Sequence, residues 1–126
     1  MRVAHGNTEI SVVDNIISCA CIGSFNLEGV YLYIDEIKSI ISSLKEKEFA
    51  MIIDNTKFVG CTPDAFEEME VYSTWLCKTK LKAKAFVIKS QVNKNIILHR
   101  TPSLSSQNIA FFSHYSEAHA WVKKFL

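Results

Sequence analysis

One stretch near the middle of the chain constrains the fold more than any other. Phe49 to Ile53 is a continuous apolar run that stops at Asp54, a pattern typical of a strand covered by helices on both faces. Thr62 followed by Pro63 then indicates the N-cap and first turn of a helix, because proline loses no hydrogen bond at that position. The sequence therefore predicts a buried strand ending at Asp54, a loop, and a helix from Pro63 to about Thr79.

The rest of the chain alternates strand-like and helix-like patterns. Two β-prone runs meet at Asp14-Asn15, a pair that tolerates the positive φ of a tight hairpin turn. Apolar residues at helical spacing predict a helix from an Asn26 cap to about Lys47. Asn93 is the expected cap of a short helix, and Ser113 that of the last helix. The predicted strands besides the central one are Thr8–Val13, Ile16–Ile22, Lys82–Lys89 and Ile109–Phe112, and Ser103–Asn108 is expected to be a polar loop.

This order predicts an α/β fold. It should contain a mixed, mainly parallel sheet of about five strands, with an N-terminal antiparallel hairpin and about four helices, because strands that alternate with helices are joined by crossover connections. The 126 residues include no linker or low-complexity tract, so we expect one domain over residues 1–126.

Composition narrows the range of functions. Fourteen basic and thirteen acidic side chains give a net charge of +1, which argues against a nucleic-acid partner. Hydrophobic residues make up 48% of the chain, so some apolar surface is expected for a ligand, a membrane or a second copy of the chain. The apolar runs are far shorter than the ~20 residues that span a membrane. With no signal-like segment at the start, we expect a cytoplasmic location, with peripheral membrane contact as an option.

Several motifs in this order resemble the SpoIIAA-like family, whose STAS-type fold is shared with anti-sigma factor antagonists and the cytoplasmic domains of sulfate transporters. A more distant likeness is to SEC14-type lipid-binding domains. The resemblance implies a small regulatory or ligand-responsive domain without known catalysis. It is carried by Gly23-Ser24-Phe25-Asn26, Ile53-Asp54, Phe58-Val59-Gly60, Thr62-Pro63-Asp64-Ala65, Trp75, Ala83-x-Ala85-x-Val87 and Ala118-His119-Ala120-Trp121-Val122.

The chain departs from the phosphorylated motif of that family. Anti-sigma factor antagonists carry Asp-Ser-Ser-Gly after the third strand, and the corresponding residues here are Val59-Gly60-Cys61-Thr62-Pro63. Thr62 is the hydroxyl nearest the equivalent helix start, so it is the candidate for phosphorylation, which would add nearly two negative charges there. The alternative is a plain helix cap that contributes about 1 kcal/mol.

The candidate binding residues follow the strand ends. Asp54, Asn55, Thr56 and Lys57 are predicted to line a polar mouth that reads a ligand carbonyl or phosphate, using free N–H groups of the next helix. Their alternative is an ordinary turn in which these side chains satisfy the local backbone. Ser24, Asn26, Cys61 and Thr62 belong to the same predicted face.

No catalytic or metal-binding pattern emerges. The four histidines lack His-x-x-x-His spacing, so no zinc site is predicted, and no cofactor is implied. Cys61, near a helix start, is a candidate reactive thiol, and the alternative is inert burial.

The basic run Lys78, Lys80, Lys82 and Lys84, together with Trp75, suggests contact with an anionic membrane or an acidic partner, whereas the alternative is a solvated face. Our leading hypothesis is thus a non-enzymatic regulatory domain that binds a protein partner or a small apolar or anionic ligand. The alternative is an apolar-ligand or lipid carrier that associates with membranes. A homodimer is compatible with either.

Overall fold

Strand order in the sheet is the same as strand order in the chain. The computed structural model describes residues 2–126, and its five strands lie side by side in the order β1-β2-β3-β4-β5. The elements are β1 (Asn7–Val13), β2 (Ile16–Phe25), α1 (Leu27–Ser43), β3 (Phe49–Cys61), α2 (Pro63–Leu76), β4 (Leu81–Val87), α3 (Gln91–Arg100), β5 (Ile109–Phe112) and α4 (Tyr115–Lys123), with a 3₁₀ helix (Pro102–Ser106) between α3 and β5.

The N-terminal hairpin is built as predicted. β1 and β2 pair antiparallel, and the turn residues Asp14 and Asn15 have φ of 53° and 62°. These positive values are the ones that a two-residue hairpin turn requires. All other neighbouring strands pair in parallel, so the predicted mixed, mainly parallel sheet with four α-helices is confirmed.

Crossover handedness explains where the helices lie. Each of the three parallel connections moves one strand further in the same direction, and connections of one hand then place their helices on one face of the sheet. Residues of α1, α2 and α3 pack in one core with Phe49, Met51 and Ile53 of β3. We call this side the helix-rich face. The opposite side, the α4 face, packs Ala118 and Val122 of α4 against the alternate residues of β3 and β4.

The two strands that precede the long helices are longer than predicted. β3 continues past Asp54 to Cys61, and β2 continues past Ile22 to Phe25, because the two strands stay paired as far as Phe25 and Cys61. The prediction that Asp54 ends a strand is therefore wrong. Beyond Asp54, β3 is paired with β2 alone, since its pairing with β4 ends where Asp54 lies opposite Val87.

Other element ends also differ from prediction. α1 ends at Ser43 rather than near Lys47, because Lys45 and Glu46 adopt positive φ values of 52° and 66° that stop a helix. α2 ends at Leu76 and β4 at Val87, both earlier than expected. The polar segment 103–108 lies partly in the 3₁₀ helix.

Of the predicted caps, Asn26 is confirmed, because its side chain accepts a hydrogen bond from the Gly29 amide at 2.9 Å. α3 is capped by Ser90 instead of Asn93, whose amide donates to the Ser90 hydroxyl. At α4 the cap position belongs to His114 rather than Ser113, and no side chain caps that end.

Candidate functional site

Three of the four residues predicted to line a polar mouth, Asp54, Thr56 and Lys57, border a concavity of about 100 Å³, but they lie within a strand and not after its end. Successive strand residues point to opposite faces, so Asp54 and Thr56 are separated from Asn55. One carboxylate oxygen of Asp54 accepts from the Thr56 amide at 2.9 Å and from its hydroxyl at 2.7 Å, a local arrangement that satisfies both residues. Lys57 is exposed. These hydrogen bonds are those of the alternative prediction, in which the side chains satisfy the local backbone, although the backbone here is a strand and not a turn.

Of two other residues predicted to bind, Asn26 makes structural hydrogen bonds and Ser24 is exposed on β2. The Asn26 side chain accepts from the His5 amide and donates to the Val3 carbonyl, each at 2.8 Å, besides capping α1. It thereby holds the segment before β1 across the first turn of α1, where a side chain on Gly29 would collide with the His5 carbonyl.

Thr62 occupies the cap position of α2, but its hydroxyl does not cap the helix. It donates instead to the Asp64 carboxylate at 2.5 Å, and that carboxylate accepts from the Ala65 amide at 2.9 Å. The hydrogen bond from Thr62 lowers the pKa of Asp64 below its ordinary value. Asp64, and not Thr62, therefore accepts a hydrogen bond from the first turn of α2. Phosphorylation of Thr62 stays a prediction.

A cavity of about 70 Å³ lies between the sheet and the helices of the helix-rich face. We call it the helix-side cavity. Of the predicted site residues it brings together Asn55 and Cys61 and leaves out the other seven. Its lining is mostly apolar and comes from three strands and three helices, including Ile53, Phe86, Val30, Met69, Tyr72 and Ile97.

Polar groups without partners are buried in this apolar lining. Asn55 is only 6% exposed, and its Oδ1 atom has no hydrogen-bond partner among residues 2–126. The buried hydroxyl of Tyr72 also makes no well-formed hydrogen bond within the described residues, although the Tyr33 side chain lies close enough to affect its pKa. Each such group costs about 1–3 kcal/mol of desolvation that nothing offsets, and native proteins rarely retain them without a reason.

Lys84 is the most unusual residue of the cavity. It is 4% exposed, and its Nζ lies 5.3 Å from the ring centroid of Phe86 and 5.9 Å from that of Tyr72. Within residues 2–126, the ion pairs are Arg2–Glu28 and Lys82–Glu48, so Lys84 pairs with no carboxylate there. Burial lowers the pKa of Lys84 from 10.5 to about 8.

Sequence reasoning placed Lys84 wrongly in a solvated basic run. A signal was present, because Ala83, Ala85 and Val87 alternate with Lys84 and Phe86 in one strand. In a strand that is apolar on both sides, no face remains for solvent. The lysine therefore had to be buried once β4 was placed inside the sheet.

Three of the four cysteines are unreactive because of their surroundings. Burial raises the pKa of the Cys61 and Cys19 thiols to about 12, and that of the Cys21 thiol further still. Thiolates are the reactive form, so these groups are poor nucleophiles near pH 7. All four cysteines are free, and no group of three or more metal-ligating side chains comes together in residues 2–126.

Comparison with protein-family models and with curated sequences finds no match. Solved structures do match. An uncharacterized protein of the DUF3478 family with a SpoIIAA-like fold, from Shewanella loihica PV-4, superposes with a TM-score of 0.68 at 15% identity, covering 97% of each chain. This chain has a SpoIIAA-like fold. An anti-sigma factor antagonist from Mycobacterium paratuberculosis matches with a TM-score of 0.67 at 13% identity, over 94% of this chain and 95% of the other. The resemblance seen in the sequence motifs is thereby confirmed at the level of fold.

The SpoIIAA-like fold of this chain has a second concavity, at the ends of α1 and α2. It measures about 370 Å³ and is lined by five lysines, Lys38, Lys45, Lys47, Lys78 and Lys80. We call it the basic groove. Trp75 also lines it, stacked on Tyr72 and 4.8 Å below the Nζ of Lys38. Trp75 is half-buried, so it is a wall of the groove rather than a free apolar anchor.

No helix within residues 2–126 combines the length and the apolar character needed to cross a bilayer.

Proposed function

We propose that this chain is a non-enzymatic regulatory domain that responds to a small molecule bound in the helix-side cavity. The observation that carries the proposal is the set of buried polar groups without partners in an otherwise apolar cavity. A ligand that hydrogen-bonds to Asn55 and Tyr72 would offset their desolvation, because the penalty falls on a group left unpaired. Small-molecule sites commonly combine an apolar lining with a few polar groups of this kind.

The size of the cavity favours a very small ligand over a lipid. Pockets for drug-sized ligands measure roughly 300–1,000 Å³, against about 70 Å³ here. An engineered cavity of about 150 Å³ holds benzene. We therefore expect an occupant of about five heavy atoms, whose Kd would be micromolar at best, since tiny ligands gain at most about 1.5 kcal/mol per atom. A lipid would require the helices to move apart.

Ligand occupancy would be transmitted to a protein partner through α2 and α3. Met69 and Ile97 contribute side chains from these helices to the cavity, so an occupant changes their packing. Val59 (71% exposed) lies near the end of β3 and Val92 (66% exposed) near the start of α3, which follows β4. Apolar side chains exposed next to a ligand site suit a partner surface. The anti-sigma factor antagonist among the structural neighbours supports a regulatory role of this type.

Methyl NMR titration with a set of small fragments tests this function. Fragments of three to five heavy atoms should shift the signals of Met69 and Ile97 at millimolar concentration. Cys61→Phe fills the cavity from its wall and should abolish the shifts. Val59→Phe should leave them unchanged, because an irregularity in the pairing of β3 with β2 leaves Val59 unpaired and its side chain exposed. Shifts that persist in Cys61→Phe, or no shifts in the native protein, would contradict the proposal.

The basic groove favours a second candidate function, peripheral contact with an anionic membrane. Each lysine near such a surface contributes about 1 kcal/mol, and five of them line one concavity. Sedimentation with vesicles that contain phosphatidylserine should recover the native protein and fall with salt. Lys80→Glu should bind less, and Lys57→Glu, which lies outside the groove, should bind normally. Trp75→Ala tests whether the aromatic wall contributes. Equal binding by all four proteins, or by none, removes this candidate.

A further inference from the structure

We propose that Lys84 anchors the ligand of the helix-side cavity and that this ligand is a short-chain carboxylate. The inference rests on the proposed function, because it names the chemical class of the molecule that the same cavity takes. It depends on one feature of the fold, a buried amine in the middle of a central strand with no counter-charge around it.

The neighbours of Lys84 supply no negative charge. The amine lies between the rings of Tyr72 and Phe86. The thiols that act on it belong to Cys19 and Cys21 of β2 and to Cys77, the residue after α2. Burial keeps the Cys19 and Cys21 thiols and the Tyr72 hydroxyl in their neutral forms near pH 7, because it raises the pKa of each. A buried ammonium group is costly unless it is paired and hydrogen-bonded.

The charge and volume of the site select the class of anion. One lysine neutralises one negative charge, which matches a carboxylate. A phosphate carries up to two charges and requires more donors than this site offers. The remaining lining is hydrocarbon and aromatic, from residues such as Ile53, Phe86 and Ile97, and it suits a short alkyl chain. Within about 70 Å³, an acid the size of propionate is the appropriate probe.

The experiment compares propionate with propionamide, a neutral molecule of the same shape, by NMR titration of the native protein. Propionate should bind at least tenfold more tightly. Lys84→Met keeps the length of the side chain and removes the charge, so both probes should bind it equally. Lys82→Met, which removes an exposed lysine of the same strand, should keep the preference for propionate.

A second measurement does not depend on any variant folding. The pKa of Lys84 in the native protein, followed through its Cε signal, should rise when propionate is added and stay unchanged with propionamide. If both probes bind alike and the pKa of Lys84 does not respond, the cavity is a ligand site but the carboxylate assignment is wrong. If no fragment of any class binds and Cys61→Phe changes nothing, the proposed function itself fails.

The remaining alternative to a carboxylate is a ligand with a reactive carbonyl group. An aldehyde and an amine form an imine with loss of water, and borohydride reduces that imine to a stable secondary amine. If propionaldehyde followed by borohydride labels Lys84 while propionate does not bind, the amine serves as a nucleophile and the carboxylate proposal is overturned. Protection of Lys84 from this labelling by propionate would support it.

Discussion

The two faces of the sheet pack against their helices with side chains of different size. On the α4 face, Ala50, Ala83 and Ala85 of the strands meet Ala118 of α4, all at most 1% exposed, so that helix approaches the sheet closely. The helix-rich face uses large side chains such as Phe49, Tyr72 and Phe86, and the cavity opens among them around Lys84. Close packing of small residues leaves no room for a ligand, whereas large side chains of irregular shape do. The comparison indicates that the layer between α4 and the sheet is closely packed, whereas the layer under α1, α2 and α3 contains a cavity.

The largest effect should come from removing the buried charge. Because folding lowers the pKa of Lys84 from 10.5 to about 8, the native state binds this proton less well than the unfolded chain and loses about 3 kcal/mol of stability at pH 7. Lys84→Met should recover much of that loss. Chemical denaturation should also show that the free energy of unfolding of the native protein rises relative to that of the variant between pH 8 and 10.5, because the cost of the buried charge disappears over that range. Parallel pH profiles of the two proteins would show that Lys84 is not a buried charge.

Adding volume should affect the two faces differently. Ala85→Val inserts two carbons into the packed α4 face without loss of strand propensity and should cost about 2 kcal/mol. Cys61→Leu adds a similar volume at the wall of the helix-side cavity and should cost less than about 1 kcal/mol, since the cavity accommodates it. Urea denaturation of both variants measures the contrast. Equal losses would remove the distinction between a packed face and an open one.

Ligand affinity should depend on pH through Lys84. Above its pKa of about 8 the amine loses its proton, so the affinity for propionate should fall tenfold per pH unit, or about 1.4 kcal/mol. The titratable neighbours of the amine, Cys19, Cys21, Tyr33 and Tyr72, stay neutral over the same range because burial raises the pKa of each. Cys77, the residue after α2, is also a neighbour. Isothermal titration from pH 7 to 9.5 tests this dependence. A flat profile would exclude an ion pair with Lys84.

The smallest effect is expected on the exposed side of the α4 face. The hydroxyls of Ser18 and Tyr115 form a hydrogen bond of 2.8 Å that ties the start of α4 to β2. Because water can replace it, Tyr115→Phe should cost only about 0.5 kcal/mol in urea denaturation. A loss above about 1.5 kcal/mol would mean that this contact is part of the core of the α4 face.

Most of the fold followed from local patterns in the sequence. Helical spacing of apolar residues located α1 and α2, and Asp14-Asn15 located the hairpin turn. The length of β3 was missed because Asp54-Asn55-Thr56-Lys57 has weak strand propensity. Those residues are strand because β2 runs beside them, and single-sequence patterns do not show such a partner.

The site was harder to predict than the fold, because burial of a polar residue depends on distant elements. Asn55 was predicted to lie in a loop at a strand end, whereas it is buried within β3. Lys84 was assigned by the charges beside it in the chain, although the rings that enclose it come from α2 and from its own strand. Alternation along β4 was the one sequence signal that pointed to burial.

Agreement between strand order and chain order has a consequence for how the protein is made. Each strand after the hairpin joins the edge left by the strand before it, so the sheet extends in a single direction as the polypeptide leaves the ribosome. No strand has to wait for a later one to be inserted between it and its neighbour. The basic side chain enclosed in β4 is therefore covered from the β5 side only once β5 has been made, after β1, β2 and β3 have had the opportunity to assemble.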